Sequence, residues 1–226
     1  MKRLSTVVLD VNETLFSLAS LKPAFESVGL DAGLVPLWFA RLLRDGFALT
    51  SAGDFRPFGE IGQAVLHELI PEPLPSHAAA TVMEAFHELQ PHPDVPEGLK
   101  LLAAAGLRLV TLTVGDLSLV HTLFRRAGLE GYLTTCLSAD TVRRWKPAPE
   151  PYHYAMRELN TTPQETALVA AHDWDIHGAA RVGMITARID RIPASPVFTP
   201  ADVIGNDLPS VARQLIALSE KCGPKE

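Results

Sequence analysis

The feature that most constrains the chain is a short run, Thr6-Val7-Val8-Leu9, closed by an acid, Asp10. Apolar and β-branched residues without polar alternation suit a strand buried on both faces, as strands of a parallel sheet are. Runs of the same kind recur at Leu107 to Thr113, Ala167 to Ala171 and Met184 to Ala187, separated by amphipathic stretches of helical length. That rhythm predicts an α/β fold with a doubly wound parallel sheet. In open sheets of this type the crevice lies outside the carboxyl ends of the strands. The residues after Leu9, Leu112 and Val169 are therefore expected to converge.

Between Glu13 and Gln90 there is no convincing strand, only helical pattern at Leu34 to Phe47, Phe58 to Ile70 and Ser76 to Leu89, punctuated by Pro71, Pro73 and Pro75. This reads as a helical cap inserted into the sheet domain. The segment Pro91-His92-Pro93-Asp94-Val95-Pro96 is stiff and poor in helix, which makes it the return linker. The expected division is a core of 1–13 and 93–226 with a cap of 14–92. Thr162-Pro163-Gln164-Glu165 forms a capping box, marking a helix start.

A chain of 226 residues, 47% hydrophobic and 20% charged, can bury one core and a smaller insert. Its formal net charge of -6 and the lack of a sustained Lys/Arg block argue against nucleic acid or an anionic membrane as partner. Cys136 and Cys222 have neither metal-knuckle nor redox-pair spacing. The apolar run after Met1, Lys2 and Arg3 meets Asp10 too soon for a signal peptide or a span, so a cytoplasmic protein is expected.

Four clusters carry chemistry. An acid at a buried strand end, Asp10, must be paired or hydrogen-bonded, and the loop Val11-Asn12-Glu13-Thr14-Leu15 offers N–H groups for the purpose. The plain alternative is a helix cap. The second cluster, Thr111-Leu112-Thr113-Val114-Gly115-Asp116, passes from strand end through Gly into a helix that Asp116 would cap, with Thr113 either holding an anion or shaping a turn. The third is Lys146, pinned by Pro147, Pro149 and Pro151; a Lys left free on the surface would gain little from such stiffness. The fourth, His172-Asp173-Trp174-Asp175 before Gly178 and Ala179, opens a helix. Its consecutive acids and histidines diverge there, which disfavours a metal site.

In order and spacing these clusters resemble the haloacid dehalogenase superfamily, and in detail its hydrolytic (S)-2-haloacid branch: Asp10 with Thr14, Arg41 in the first cap helix, Thr113 before Gly115, Lys146 six before Tyr152, and Trp174-Asp175. The resemblance implies a Rossmann-like core with a helical cap, and an Asp10 that displaces halide from a small 2-halo carboxylate to give an aspartyl ester that water hydrolyses. It also implies that Thr113 and Lys146 hold the substrate carboxylate, Arg41 receives the halide, Phe58, Tyr152 and Trp174 shape an apolar pocket, and Asp175 with His172 handles the hydrolytic water. No cofactor is implied, and a homodimer is possible in such a family. Phosphatases of the superfamily carry acids where this chain has Asn12 and Ala170. Without that proton donor and magnesium ligand, a magnesium-dependent phosphatase is the second reading. Val114 stands where the branch often has Asn, and His172 also replaces an Asn. A hydrolase opening a strained cyclic amino acid and a non-catalytic binding protein are the further alternatives.

Overall fold

The structure is a computed structural model that describes residues 3–69 and 77–221. Pro71, Pro73, Pro75, Ser76 and Cys222 lie outside the described residues. The chain runs β1 (Thr6–Leu9), β2 (Phe16–Ser17), α1 (Lys22–Ser27), α2 (Val35–Ser51), α3 (Phe58–Leu69), α4 (Ala78–Glu84), β3 (Gln90–Pro91), α5 (Val95–Ala104), β4 (Arg108–Thr113), α6 (Leu117–Arg126), β5 (Thr135–Ser138), α7 (Pro149–Leu159), β6 (Thr166–Ala170), α8 (Asp173–Arg181), β7 (Ile185–Ile189), β8 (Val203–Gly205) and α9 (Leu208–Lys221).

Six strands form a parallel sheet in the order β5-β4-β1-β6-β7-β8. Side chains of β1 alternate between two apolar layers. Val7 and Leu9 join Leu109, Ala167 and Val169, while Val8 joins Val110, Leu112 and Leu168 on the other face. Every residue of β1 is buried, as its unbroken apolar run requires. The order places β1 between β4 and β6, so the chain leaves the centre of the sheet in both directions and opens a crevice at the carboxyl ends of these strands. No helix among the described residues is long and apolar enough to cross a membrane.

The structure corrects several boundaries. Phe16–Ser17 pairs antiparallel with Gln90–Pro91, so a two-residue ribbon lies where only helix is expected. The segment expected to be a stiff linker divides: its first Pro closes that ribbon, and Val95 and Pro96 already begin α5, since Pro is tolerated in a first helical turn. Strands β5 and β8 were not anticipated. The helix expected to end at Phe47 continues to Ser51, and the one ending at Leu89 gives way after Glu84 to a tighter turn over Ala85–Glu88. The Thr162 capping box is present on a short helical turn, Pro163–Glu165.

Candidate active site

Asp10 leaves β1 with its N–H bonded to the Val169 carbonyl at 3.0 Å, which fixes the carboxylate at the middle of the sheet. The loop after it folds tightly: the Glu13 N–H reaches the Phe16 carbonyl at 2.8 Å, and Glu13 sits at φ 58, a left-handed value that a non-Gly residue adopts only under constraint. This turn carries the Thr14 hydroxyl to 2.7 Å from Asp10 Oδ2. Thr14 Oγ1 also accepts the Ala171 N–H at 2.9 Å, which leaves its one hydrogen for Asp10.

Lys146 is fully buried and donates to Asp10 Oδ1 at 2.8 Å, Asp175 Oδ2 at 2.6 Å and the Leu112 carbonyl at 2.9 Å. Three donors meet three acceptors, so the buried charge is both paired and saturated. Asp175, in the first turn of α8, uses its other oxygen to accept the Tyr152 hydroxyl at 2.5 Å. Gly178, one helical turn on, permits this approach, because a Cβ there would stand 2.6 Å from the Tyr152 hydroxyl. His172 places Nδ1 at 3.2 Å from Asp10 Oδ2 and stacks on Trp174, with ring centroids 5.1 Å apart. A carboxylate only accepts, so Nδ1 carries the proton.

These contacts set the protonation states. Burial alone would raise the Asp10 pKa, but Lys146 and the His172 hydrogen bond outweigh it and hold the carboxyl well below its usual range. Burial opposes the Lys146 charge, yet the two carboxylates raise its pKa and keep it an ammonium. Asp175 is pushed up, by burial first and by the nearby Asp10 charge. Tyr152 stays a neutral donor, its pKa raised by burial and by Asp175.

A cavity of about 360 Å³ lies against this cluster, lined by Glu13 of the nucleophile loop, by His172, and by an apolar wall that includes Leu18, Val35, Phe39 and Leu43. The Phe39 ring lies 5.9 Å from that of His172. Lys22, exposed on α1, lines the same cavity, and its side chain makes no ion pair or hydrogen bond among the described residues. The Glu13 carboxylate accepts the Leu18 N–H, which ties the nucleophile loop to the cavity wall.

Not every residue singled out in the sequence reaches the site. Arg41 belongs to α2 but does not line the cavity; Phe39 does, and two residues along a helix place Arg41 about 200° around the axis from it. Counting from Trp38, Phe39, Leu42 and Leu43, the buried stripe of α2, would have found Phe39 in its place. Phe58 packs within the core, stacked on Trp145 at 6.0 Å and against Phe86 at 5.4 Å, rather than shaping the pocket. Val114 is buried in the apolar core and Thr113 shapes a turn, its hydroxyl accepting the Gly115 N–H at 2.9 Å. Lys146 has no donor left for a substrate carboxylate. Asp175 has no exposure and both oxygens engaged, which makes it the anchor of Lys146 and Tyr152 rather than a water's direct partner. Asn12 is buried in the nucleophile loop without a side-chain hydrogen bond among the described residues. Arg191 went unnoticed in the sequence: it donates to the Thr14 carbonyl at 2.9 Å and to Asp94 at 3.0 Å, pinning the loop from below.

The arrangement is that of an ionised, fixed carboxylate at a parallel-sheet switch point, and comparison with known proteins places the chain in a family. A family profile described as haloacid dehalogenase-like hydrolase matches residues 4–183. The chain belongs to the haloacid dehalogenase-like hydrolases. Within this family it is similar to the (S)-2-haloacid dehalogenase 1 of Pseudomonas sp. (strain CBS-3), 29% identical over 218 residues that cover 94% of each chain. It is also similar to the (S)-2-haloacid dehalogenase 4A of Burkholderia cepacia, 30% identical over 86% of this chain and 87% of that one. A solved L-2-haloacid dehalogenase superposes with a TM-score of 0.86 at 27% identity, covering 97% of this chain and all of its own, 100%. The hydrolase family and its α/β sheet are thus those the sequence resemblance implies.

Proposed function

We propose that this hydrolase is an (S)-2-haloacid dehalogenase in which Asp10 displaces halide from C2 of a 2-halo carboxylate and the resulting ester is hydrolysed to the 2-hydroxy acid. The observation that carries the reading is the donor set on Asp10. Oδ2 receives both Thr14 and His172, whereas Oδ1 receives Lys146 alone and keeps a lone pair for attack. Oδ1 forms a bond to C2 as the carbon–halogen bond breaks with inversion, and the halide leaves as an anion. Water then adds to the Asp10 carboxyl carbon, and Thr14 and His172 hold the oxyanion on Oδ2. The bond from that carbon to Oδ1 breaks, Lys146 protonates the departing oxygen, and the water oxygen replaces it on Asp10, one of the water's protons returning to Lys146 and the other passing to solvent. The balance is one halide and one proton released for each water consumed.

Halide needs no proton donor, which suits Asn12 where a phosphatase would need an acid. The donor set does not fit magnesium: Ala170 offers no ligand, Lys146 stands between the two carboxylates, and Asp173 is paired with Arg188 at 2.8 Å. On this reading the helices between β2 and β3, within 14–92, act as the cap over a core of 1–13 and 93–226. Lys22 supplies the cavity's unpaired positive charge for an anionic substrate. The relatives named above support the substrate class.

The test is halide release from (S)-2-chloropropionate in excess chelator, beside hydrolysis of a phosphomonoester with magnesium. Release should survive the chelator, and a single turnover in oxygen-18 water should label Asp10 and not the product. Magnesium-dependent phosphatase activity without halide release would overturn the proposal, and silence in both assays would favour a non-catalytic role.

A further inference from the structure

Resting on the dehalogenase reading, we propose that the cavity selects 2-halo acids whose C2 substituent is a long apolar chain, in preference to two- and three-carbon acids. The cavity's volume, about 360 Å³, corresponds to on the order of a dozen waters, well beyond what a three-carbon halo acid fills. Its polarity is divided. Glu13, Lys22 and His172 bring charge or a titratable ring, and Leu18, Val35, Phe39, Leu43 and Ile192 provide a continuous apolar wall. Leu18, Val35, Phe39 and Leu43 are themselves buried, so the wall is fixed before any ligand arrives. Phe39 stands beside His172, which bonds the nucleophile, so the wall begins next to the reacting carbon. With its carboxylate towards Lys22, an acid would leave a short substituent facing unfilled apolar space. A longer chain covers that wall and removes it from water.

Ala40 gives access to the cavity without touching the catalytic cluster, because it lines the cavity while remaining exposed on α2. The experiment measures kcat/KM for (S)-2-chloropropionate, 2-chlorobutanoate and 2-chlorohexanoate with the full chain and with Ala40→Phe. Each buried methylene should raise kcat/KM by about fourfold until the wall is covered. Ala40→Phe should lower the ratio of the hexanoate to the propionate kcat/KM at least threefold. Halide release that is flat or falling along the series overturns the proposal and leaves the dehalogenase reading standing. A rising series that Ala40→Phe does not flatten overturns the assignment to this cavity. No halide from any acid overturns the dehalogenase reading and this inference with it.

Discussion

Replacing His172 separates the two halves of the reaction. In the resting site Asp10 Oδ2 receives Thr14 at 2.7 Å and His172 at 3.2 Å. Neither donor touches Oδ1, the oxygen that attacks, so alkylation should proceed in His172→Ala within about threefold of its normal rate. Hydrolysis differs, because negative charge grows on Oδ2 as water adds. Losing one oxyanion donor typically costs ~100- to 1000-fold. The His172 contact is longer than the best such bonds, so a loss of about 30- to 100-fold, or ~2 to 3 kcal/mol, is expected. The assay is a rapid-quench single turnover that follows halide by colorimetry and the Asp10 adduct by intact mass. A halide burst near the normal rate, with adduct accumulating, is the expected result. His172→Asn, which retains an N–H donor, should recover part of the hydrolysis rate, whereas a general base could not be replaced by an amide. Equal slowing of both steps, or an Asn variant as slow as Ala, would refute the oxyanion role.

Arg41→Ala should leave halide release within about twofold of the parent in steady-state assay, since the side chain lies on the far side of α2 from Phe39; a loss above about tenfold would restore the role implied by family resemblance. Asp140 carries a pKa pushed up to about 6, by burial first and by the Asp116 charge second. Its folded pKa exceeds the unfolded value of 3.8, so the folded chain binds more protons between the two and stability falls as pH rises from about 4 to about 6. Asp140→Asn should remove that dependence and raise Tm at pH 7.5 by ~3 °C, with little change at pH 4, as a pair of calorimetric scans would show.

The legible parts of the molecule were those written in local pattern. The β1 run and Asp10 at its end follow from consecutive residues, as do the Thr14 spacing and the Thr162 capping box. Two-residue β2 and β3 carry no periodicity, and their pairing joins segments far apart in the chain. β8 has three residues at a sheet edge, and β5 is half polar, so neither gives the unbroken apolar run of a central strand. At the site, the prolines around Lys146 announced a held side chain but not what it holds. Its acceptors come from the residue after β1, from β4 and from α8, and the sheet order brings them together. For Arg41 the motif position and the helix face point different ways, since the buried stripe of α2 brings Phe39 to the cavity.

The charge arrangement also says why the ester should form readily and then need help to leave. Lys146 lies between two buried carboxylates, so with both ionised the cluster holds one net negative charge in a place where charge is costly. The strain is visible in Asp175, whose pKa is raised by burial and by Asp10 together. Alkylation turns Asp10 into a neutral ester, leaves Lys146 and Asp175 as a matched pair, and removes the repulsion between the acids. The same step takes away a charge that held Lys146 towards Oδ1, so the ester is a resting place. Hydrolysis must rebuild the negative charge on Asp10, first as an oxyanion. Thr14 and His172 already point at the oxygen where it appears, and neither has to move when the reaction reaches it.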